Sequence, residues 1–406
     1  MRLTKLIAGV MSGVLVAGAC PGADIDTPER LVDANNRFTA EIYKRVKDKE
    51  GNLFLSPYSI SSALAMVYAG AQGNTAKEMA DTLHFKDIPQ PEVRVHEYCR
   101  MLQTGLNAIQ KKGDIKLAVA NSLWPQKSFK MEDAFIARGK TYYGADVTPV
   151  DFVTASEDAR KKINTWVEDK TQEKIKDLIK QGMLNDLTRL VLVNAIYFKG
   201  KWENEFDKKL TSKMEFDSGA AKVQADMMTQ EKHVGYADTE DVQVLQLGYK
   251  GGDMSMVIVL PKNKADLGKI EDKLSNEVLA GWTRKMGRPE VKIFIPKFKV
   301  TSEFSLSGTL AAMGMKDAFD AGKADLSGIS KGPDRLFISA VAHKAFVDVN
   351  EEGTEAAAAT GIMVGTTAMP AEPLIFRADH PFLFVIRENK TGSILFIGRV
   401  VDPTKG

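Results

Sequence analysis

The 406-residue sequence has little of what would assign it to an enzyme class. It holds two cysteines, Cys20 and Cys99. Two are too few for a disulfide-stapled scaffold or a cysteine-built zinc site, so the fold must rest on a large apolar core. The five histidines, His84, His96, His233, His343 and His380, are scattered without metal-ligand spacing. Charge of one sign is not in excess. Fifty-five Lys and Arg against 53 Asp and Glu leave +2, which gives no footprint for nucleic acid or an anionic membrane. No apolar run reaches the roughly 18–20 residues of a spanning helix. A phosphate loop ending in Lys-Ser/Thr, GxGxxG after a strand, HExxH and GxSxG are all missing. Ser and Asp are plentiful, but nothing singles out a triad. No catalytic residue, cofactor or metal is therefore expected.

The N-terminus reads as a targeting segment. Arg2 and Lys5 precede an apolar run from Leu6 to Ala19, and Ala17-Gly18-Ala19 stands directly before Cys20. Residues 1–19 are expected to be a secretory signal peptide. Small residues before a Cys also resemble the bacterial lipoprotein signal, in which Cys20 would become the acylated N-terminus. Ordinary cleavage after Ala-x-Ala is the alternative. Residues 20–26 are a tether, and the folded domain is expected over 27–406.

Along that domain, Thr27-Pro28-Glu29 opens a helix with one apolar face. Residues 52–60 read as a short strand broken by Pro57, with Ser59 capping the next helix. Thr75 and Glu78 are spaced as a capping box. Residues 91–111 read as a helix and 115–123 as a strand. Ser156 is placed to cap another helix, and residues 171–182 read as a second polar-faced one. From residue 190 the chain changes to long strands near 190–202, 254–261, 291–301, 336–350 and 393–401, with a helical stretch near 305–313. The class is α+β with one extensive sheet system.

The sequence is organised around the stretch from 351 to 381. About thirty residues between two buried-looking strands is long for a connection, and such loops are usually functional. From 353 to 371 the only charge is Glu355 and the first proline is Pro370. That composition does not fit a disordered linker. At a period of two, one face carries Thr354, Ala356, Ala358, Thr360, Ile362 and Val364. This face is small and then apolar, never charged. The segment could enter a sheet without burying a charge.

Five extended motifs then carry a family resemblance: NLFLSPYSISSALAMVYAGAQGNTAKEM, VLVNAIYFKGKWENEF, IPKFKVTSEFSLSGTLAAMGMKDAFDAGKADLSGIS, LFISAVAHKAFVDVNEEGTEAAAAT and HPFLFVIRENKTGSILFIGRVVDP. Together, in this order, they resemble the serpins from about residue 27 to the C-terminus. The resemblance implies three β-sheets, about eight or nine helices, and an exposed reactive-centre loop at about 351–378. It implies a suicide inhibitor rather than an enzyme. A serine protease, or as a second class a cysteine protease, attacks the loop and forms an acyl-enzyme. The freed limb then inserts into the main sheet. About fifteen residues at 3.3 Å each carry the tethered protease roughly 50 Å. Distortion of its oxyanion hole stalls deacylation.

Carried over by position, Gly353, Thr354, Glu355, Ala356, Ala357, Ala358, Ala359 and Thr360 are the hinge. The scissile bond is Thr367-Ala368, to within one or two residues. Small residues there suit an elastase-like specificity pocket, and no Lys or Arg lies between 353 and 376 to suit a trypsin-like one. Ser56, Ser59, Asn194 and His343 match the polar shutter under the middle of the sheet. Glu351 and Lys297 match the breach at its top, with Trp202 packed in the same region. For His343 the plain alternative is a satisfied core histidine, and for Trp202 a core aromatic. The N-terminal segment implies export, to the cell surface or outer membrane as a lipoprotein or otherwise by secretion; the charge balance implies no nucleic-acid partner, and a monomer is expected. Two other functions compete: a non-inhibitory serpin acting as a binding or carrier protein, and a secreted hydrolase.

Overall fold

A computed structural model describes residues 27–354 and 374–406. Among these residues, nine α-helices surround three sheets. The first sheet runs Leu53–Leu55, Ile394–Val400, Phe382–Glu388, Met254–Pro261, Val242–Gly248, Gly235–Asp238, antiparallel throughout. Its central strands are continuous apolar runs because both faces are covered; every residue of Met254–Pro261 is buried. A four-stranded sheet runs Leu374–Arg377, Glu290–Pro296, Lys222–His233, Ser212–Asp217.

The main sheet runs Phe298–Ser305, Ala340–Asn350, Gly353–Thr354, Leu190–Lys201, Ile115–Pro125, Asp146–Val147. Along Leu190–Lys201, Leu192, Ile196 and Phe198 face the principal core. Val191, Val193 and Ala195 face a second cluster, under the Phe152–Lys170 helix and the chain that follows it. This alternation fixes which side chains of any neighbouring strand point inward.

Early helices and late strands follow the sequence reading, but several local expectations are corrected. Pro28, not Thr27, is the cap residue of the Glu29–Val46 helix. Pro57 starts the Pro57–Tyr68 helix instead of ending the strand, and Ser56 caps it by accepting from the Ser59 N–H. Thr75 and Glu78 lie inside the Gly73–Thr82 helix and form no capping box. Thr75 Oγ1 accepts from Asp325 N–H, and Glu78 accepts from the Lys316 and Asp317 N–H groups, so both hold a distant segment. Asp151, not Ser156, caps the Phe152–Lys170 helix, which kinks at Ala155. Residues 171–182 are not helical. Positive φ at Gln172, Glu173 and Asp177 breaks the turn, and Asn164 supplies hydrogen bonds to both the N–H and C=O of Ile179. The 291–301 run divides at Pro296 between two sheets, with the Lys297 N–H donating to Asp226 O. Within the expected 351–378 loop, both flanks that are described include strand residues. Gly353–Thr354 is already strand, and Leu374–Arg377 pairs parallel with Val291–Phe294 while burying Phe376.

Candidate functional site

The site begins where two long strands of the main sheet meet and then diverge. Ala340–Phe346 pairs in parallel with Val191–Tyr197, setting His343 opposite Asn194. Above that contact the strands separate, and Gly353–Thr354 occupies the gap. It is antiparallel to both banks, with Thr354 opposite Val349 on one side and Gly200 on the other.

Below the gap the four residues expected to form a polar cluster lie together, all fully or almost fully buried. The Ser56 N–H donates to His343 Nε2 at 3.1 Å. Nδ1 of the same ring therefore carries the proton and donates to Asn194 Oδ1. Asn194 Nδ2 donates to Ser59 Oγ and to Asn121 Oδ1. Ser56 Oγ reaches Leu395 O at 2.7 Å. Burial holds the His343 imidazole neutral, pushed down to about 3. Sequence reasoning missed Asn121. Its signal was an Asn inside the alternating strand Ile115–Pro125, where it pairs in register with Asn194.

At the top of the gap, Lys297 Nζ lies 3.0 Å from the buried Glu351 carboxylate. Burial pushes that carboxyl up. Its own backbone N–H, Lys297 and the Thr211 hydroxyl more than offset this, and it titrates below the ordinary carboxylate range. Two further bonds fix the turn: the Phe206 N–H donates to Glu351 O at 2.8 Å and the Trp202 N–H to Glu352 O at 3.0 Å. Lys208 pairs with Glu352. Trp202 donates from Nε1 to Asn350 O at 3.0 Å and stacks on Tyr249 at 4.7 Å between centroids. Tyr249 in turn holds the hinge, its hydroxyl 3.0 Å from Thr354 Oγ1. Tyr249, Thr211, Lys208 and Glu352 were not read from the sequence. Glu352 adjoins Glu351 in the same turn, whereas Tyr249, Thr211 and Lys208 come from other elements, and only tertiary register brings them here.

Gly353 is required by geometry. Its φ is +148°, and a Cβ would stand 2.1 Å from Gly200 O, 2.7 Å from Lys201 Cα and 2.9 Å from Trp202 N. Every one of these neighbours is backbone and cannot move aside. Thr354 is fully buried and faces the core. The rest of the expected hinge (Glu355, Ala356, Ala357, Ala358, Ala359 and Thr360), the Thr367-Ala368 bond and Cys20 lie outside the described residues.

Chemically, this arrangement holds a strand start in a partly open sheet. Among the described residues no group of His, Cys, Asp and Glu is placed to hold a metal, and no helix is long and apolar enough to cross a membrane. Cys99 is buried, and burial pushes its thiol up to about 12, so it is a core residue.

The family model for Serpin (serine protease inhibitor) matches residues 33–403. The human leukocyte elastase inhibitor is 43% identical over 387 residues, covering 92% of this chain and 100% of that protein. Among solved structures, Serpin48 of the insect Tenebrio molitor superposes with a TM-score of 0.81 at 34% identity, over 94% of this chain and 100% of that one. Human thyroxine-binding globulin gives 0.84 at 33% identity, over 93% and 99%. A sheet parted at the top, with the first hinge residues between its banks, is therefore found in a chain that belongs to the serpin family.

Proposed function

We propose that this protein is an inhibitory serpin that traps serine endopeptidases, elastase-like enzymes first and cysteine proteases as a second class. The observation that carries this reading is Thr354, inward and buried between the diverging strands. It sets the parity of everything that follows. Extending the pairing strand-fashion puts Ala356, Ala358, Thr360, Ile362 and Val364 on the core side, the small, uncharged face. The same extension brings Thr360 between Asn194 and His343, and Val364 opposite Leu190 at the end of the strand. A Thr hydroxyl there can bond to both groups whose mutual bond it breaks. Insertion so exchanges one satisfied buried network for another.

In the reaction, the protease serine Oγ attacks the Thr367 carbonyl carbon. An ester forms, the bond to Ala368 breaks, and the freed amine of Ala368 takes the proton delivered by the protease histidine. The released limb then enters the gap, dragging the ester-linked enzyme along the sheet. Each molecule is consumed with its target, so there is no turnover. Small residues at Thr366, Thr367 and Ala368 favour an elastase-like enzyme, and the elastase inhibitors among the relatives support that choice.

The test is thermal. After the loop is cut by a protease that is then removed, the midpoint of unfolding should rise by tens of degrees. An unchanged midpoint would mark a non-inhibitory carrier. We further propose that the protein acts as a monomer and is exported, with residues 1–19 removed and Cys20 acylated. Mass spectrometry of the mature N-terminus should find a lipid on Cys20, and an unmodified N-terminus at Met1 would contradict export by this signal.

A further inference from the structure

The first turns of the Glu29–Val46 helix lie beside the Asn276–Arg284 helix, where Asp33 accepts from Asn276 Nδ2 at 2.7 Å. That short helix buries Leu279 and leads into a cluster of cations. Arg284, Lys285 and Arg288 are exposed, and residues 278–289 contain no acid. Lys390 is exposed on the neighbouring hairpin. Its neighbour Asn389 shares a hollow with Thr283 and Arg288, and Thr391 shares another with Trp282. Among the described residues none of these four cations has a carboxylate partner. The acids nearby are engaged or set apart. Asp33 pairs with Arg37, Glu388 accepts from the Lys390 and Thr391 N–H groups, and Glu277 sits in the first turn, at the other end of the helix.

Trp282 gives the cluster an apolar centre. It packs on the core but is only half-buried, and among the described residues its indole N–H has no hydrogen-bond partner. An indole with one side apolar and its N–H open to water, flanked by Arg and Lys, suits a membrane–water interface. The overall charge of +2 hides this surface, because the excess is local. The chain that precedes the fold selects the occupant. Residues 20–26 span at most about 25 Å when fully extended, and the Asn276–Arg284 helix is about 14 Å long. A lipid on Cys20 therefore keeps this helix within reach of the headgroups. Headgroup charge is screened beyond about 10 Å at 0.1 M salt, so the four cations feel it only when this surface faces the bilayer.

We propose that this surface docks on an anionic phospholipid membrane, with Trp282 at headgroup level and Arg284, Lys285, Arg288 and Lys390 against the lipid phosphates. The inference rests on the acylation of Cys20 proposed above. An acyl anchor fixes the end of the tether and not the orientation of the domain. A basic face bearing a tryptophan supplies that second contact.

The test couples the mature chain through Cys20 to a maleimide lipid, so that the anchor is present whether or not the cell acylates that residue. Cys99 is buried and stays unreacted. The vesicles are phosphatidylcholine with brominated acyl chains, with and without phosphatidylglycerol. Tryptophan fluorescence of the anchored chain should be quenched on the anionic vesicles at low salt and not on the neutral ones. Trp282→Phe should abolish that quenching, because Trp124 and Trp202 are buried and Trp166 is on the Phe152–Lys170 helix. A Cys20→Ser chain without an anchor should still partition onto the anionic vesicles. Arg284→Gln with Lys285→Gln should weaken that partition roughly ten-fold or more. The proposal is overturned if quenching is the same on both vesicle types, if the double variant partitions like the parent, or if these residues bind dextran sulfate and the chain ignores anionic vesicles. The mass of the mature N-terminus reports separately on the cellular anchor, so the two failures are told apart.

Discussion

Substituting Thr354→Arg tests the parity argument at its first step. Thr354 is fully buried, with its hydroxyl on Tyr249. An Arg there cannot lose its proton. The carboxylates just before it in sequence, Glu351 and Glu352, are already held by Lys297 and Lys208. The charge drives the hinge out of the gap in the uncleaved chain, and returning it there as insertion begins costs about 3–5 kcal/mol, or roughly 10²–10⁴-fold in that step. Insertion slowed that far loses its race with deacylation, and the inhibitor becomes a substrate. Thr354→Val is the control. It keeps the shape and leaves only the Tyr249 hydroxyl unpaired, at about 1–2 kcal/mol. The assay is the ratio of covalent complex to cleaved free chain on denaturing gels after reaction with an elastase-type protease. The Arg variant should give almost entirely cleaved chain, and the Val variant mostly complex. An Arg variant that forms complex like the parent would refute the inward assignment of Thr354.

Three further outcomes follow from the same geometry. Gly353→Ala places a methyl against the backbone of Gly200, Lys201 and Trp202, so the hinge should leave the gap; faster limited proteolysis near residue 353 would show it, and an unchanged rate would not fit. Lys297→Met leaves the Glu351 carboxylate with only its backbone N–H and Thr211 partners, at a cost of about 1–2 kcal/mol for a half-exposed lysine, and should lower the urea midpoint, whereas an unaltered midpoint would reduce the pair to a surface contact. The third concerns pH. His343 is held neutral in the fold, pushed to about 3 by burial, and His96 to about 4 by burial and the nearby Arg138. The unfolded chain takes up these protons below about 6.5, so stability falls with pH in that window, by about 2 kcal/mol per histidine at pH 5. The urea midpoint should therefore drop between pH 7.5 and 5, and His96→Asn should remove about half of the drop.

Much of the fold was legible because its strands are buried on both faces, and Met254–Pro261 and Leu190–Lys201 announce themselves by unbroken apolar runs. Strands with one solvated face did not. Ser212–Asp217 and Lys222–His233 mix charge with apolar residues and passed unread. Residues 171–182 misled for a different reason. Ile175, Leu178 and Ile179 have helical spacing, but all three are buried under an irregular chain whose bonds Asn164 provides. In the site, family position placed Ser56, Ser59, Asn194, His343, Glu351, Lys297 and Trp202 in two regions, and the structure brings each set together. Asn121 was missed although it stands inside an apolar strand; Thr211, Lys208 and Tyr249 could not be read, because cross-strand register and sheet stacking, not sequence neighbours, deliver them. That Gly353–Thr354 is already between the strands was equally invisible, since it depends on how far the banks have parted.

The most direct test of the central claim is to mix the mature protein with an elastase-type serine protease, run a denaturing gel and sequence the released C-terminal peptide. A covalent complex that survives denaturation, with a peptide beginning at Ala368, is the expected result. Cleavage that yields no complex, together with a cleaved chain no more heat-resistant than the intact one, would contradict it.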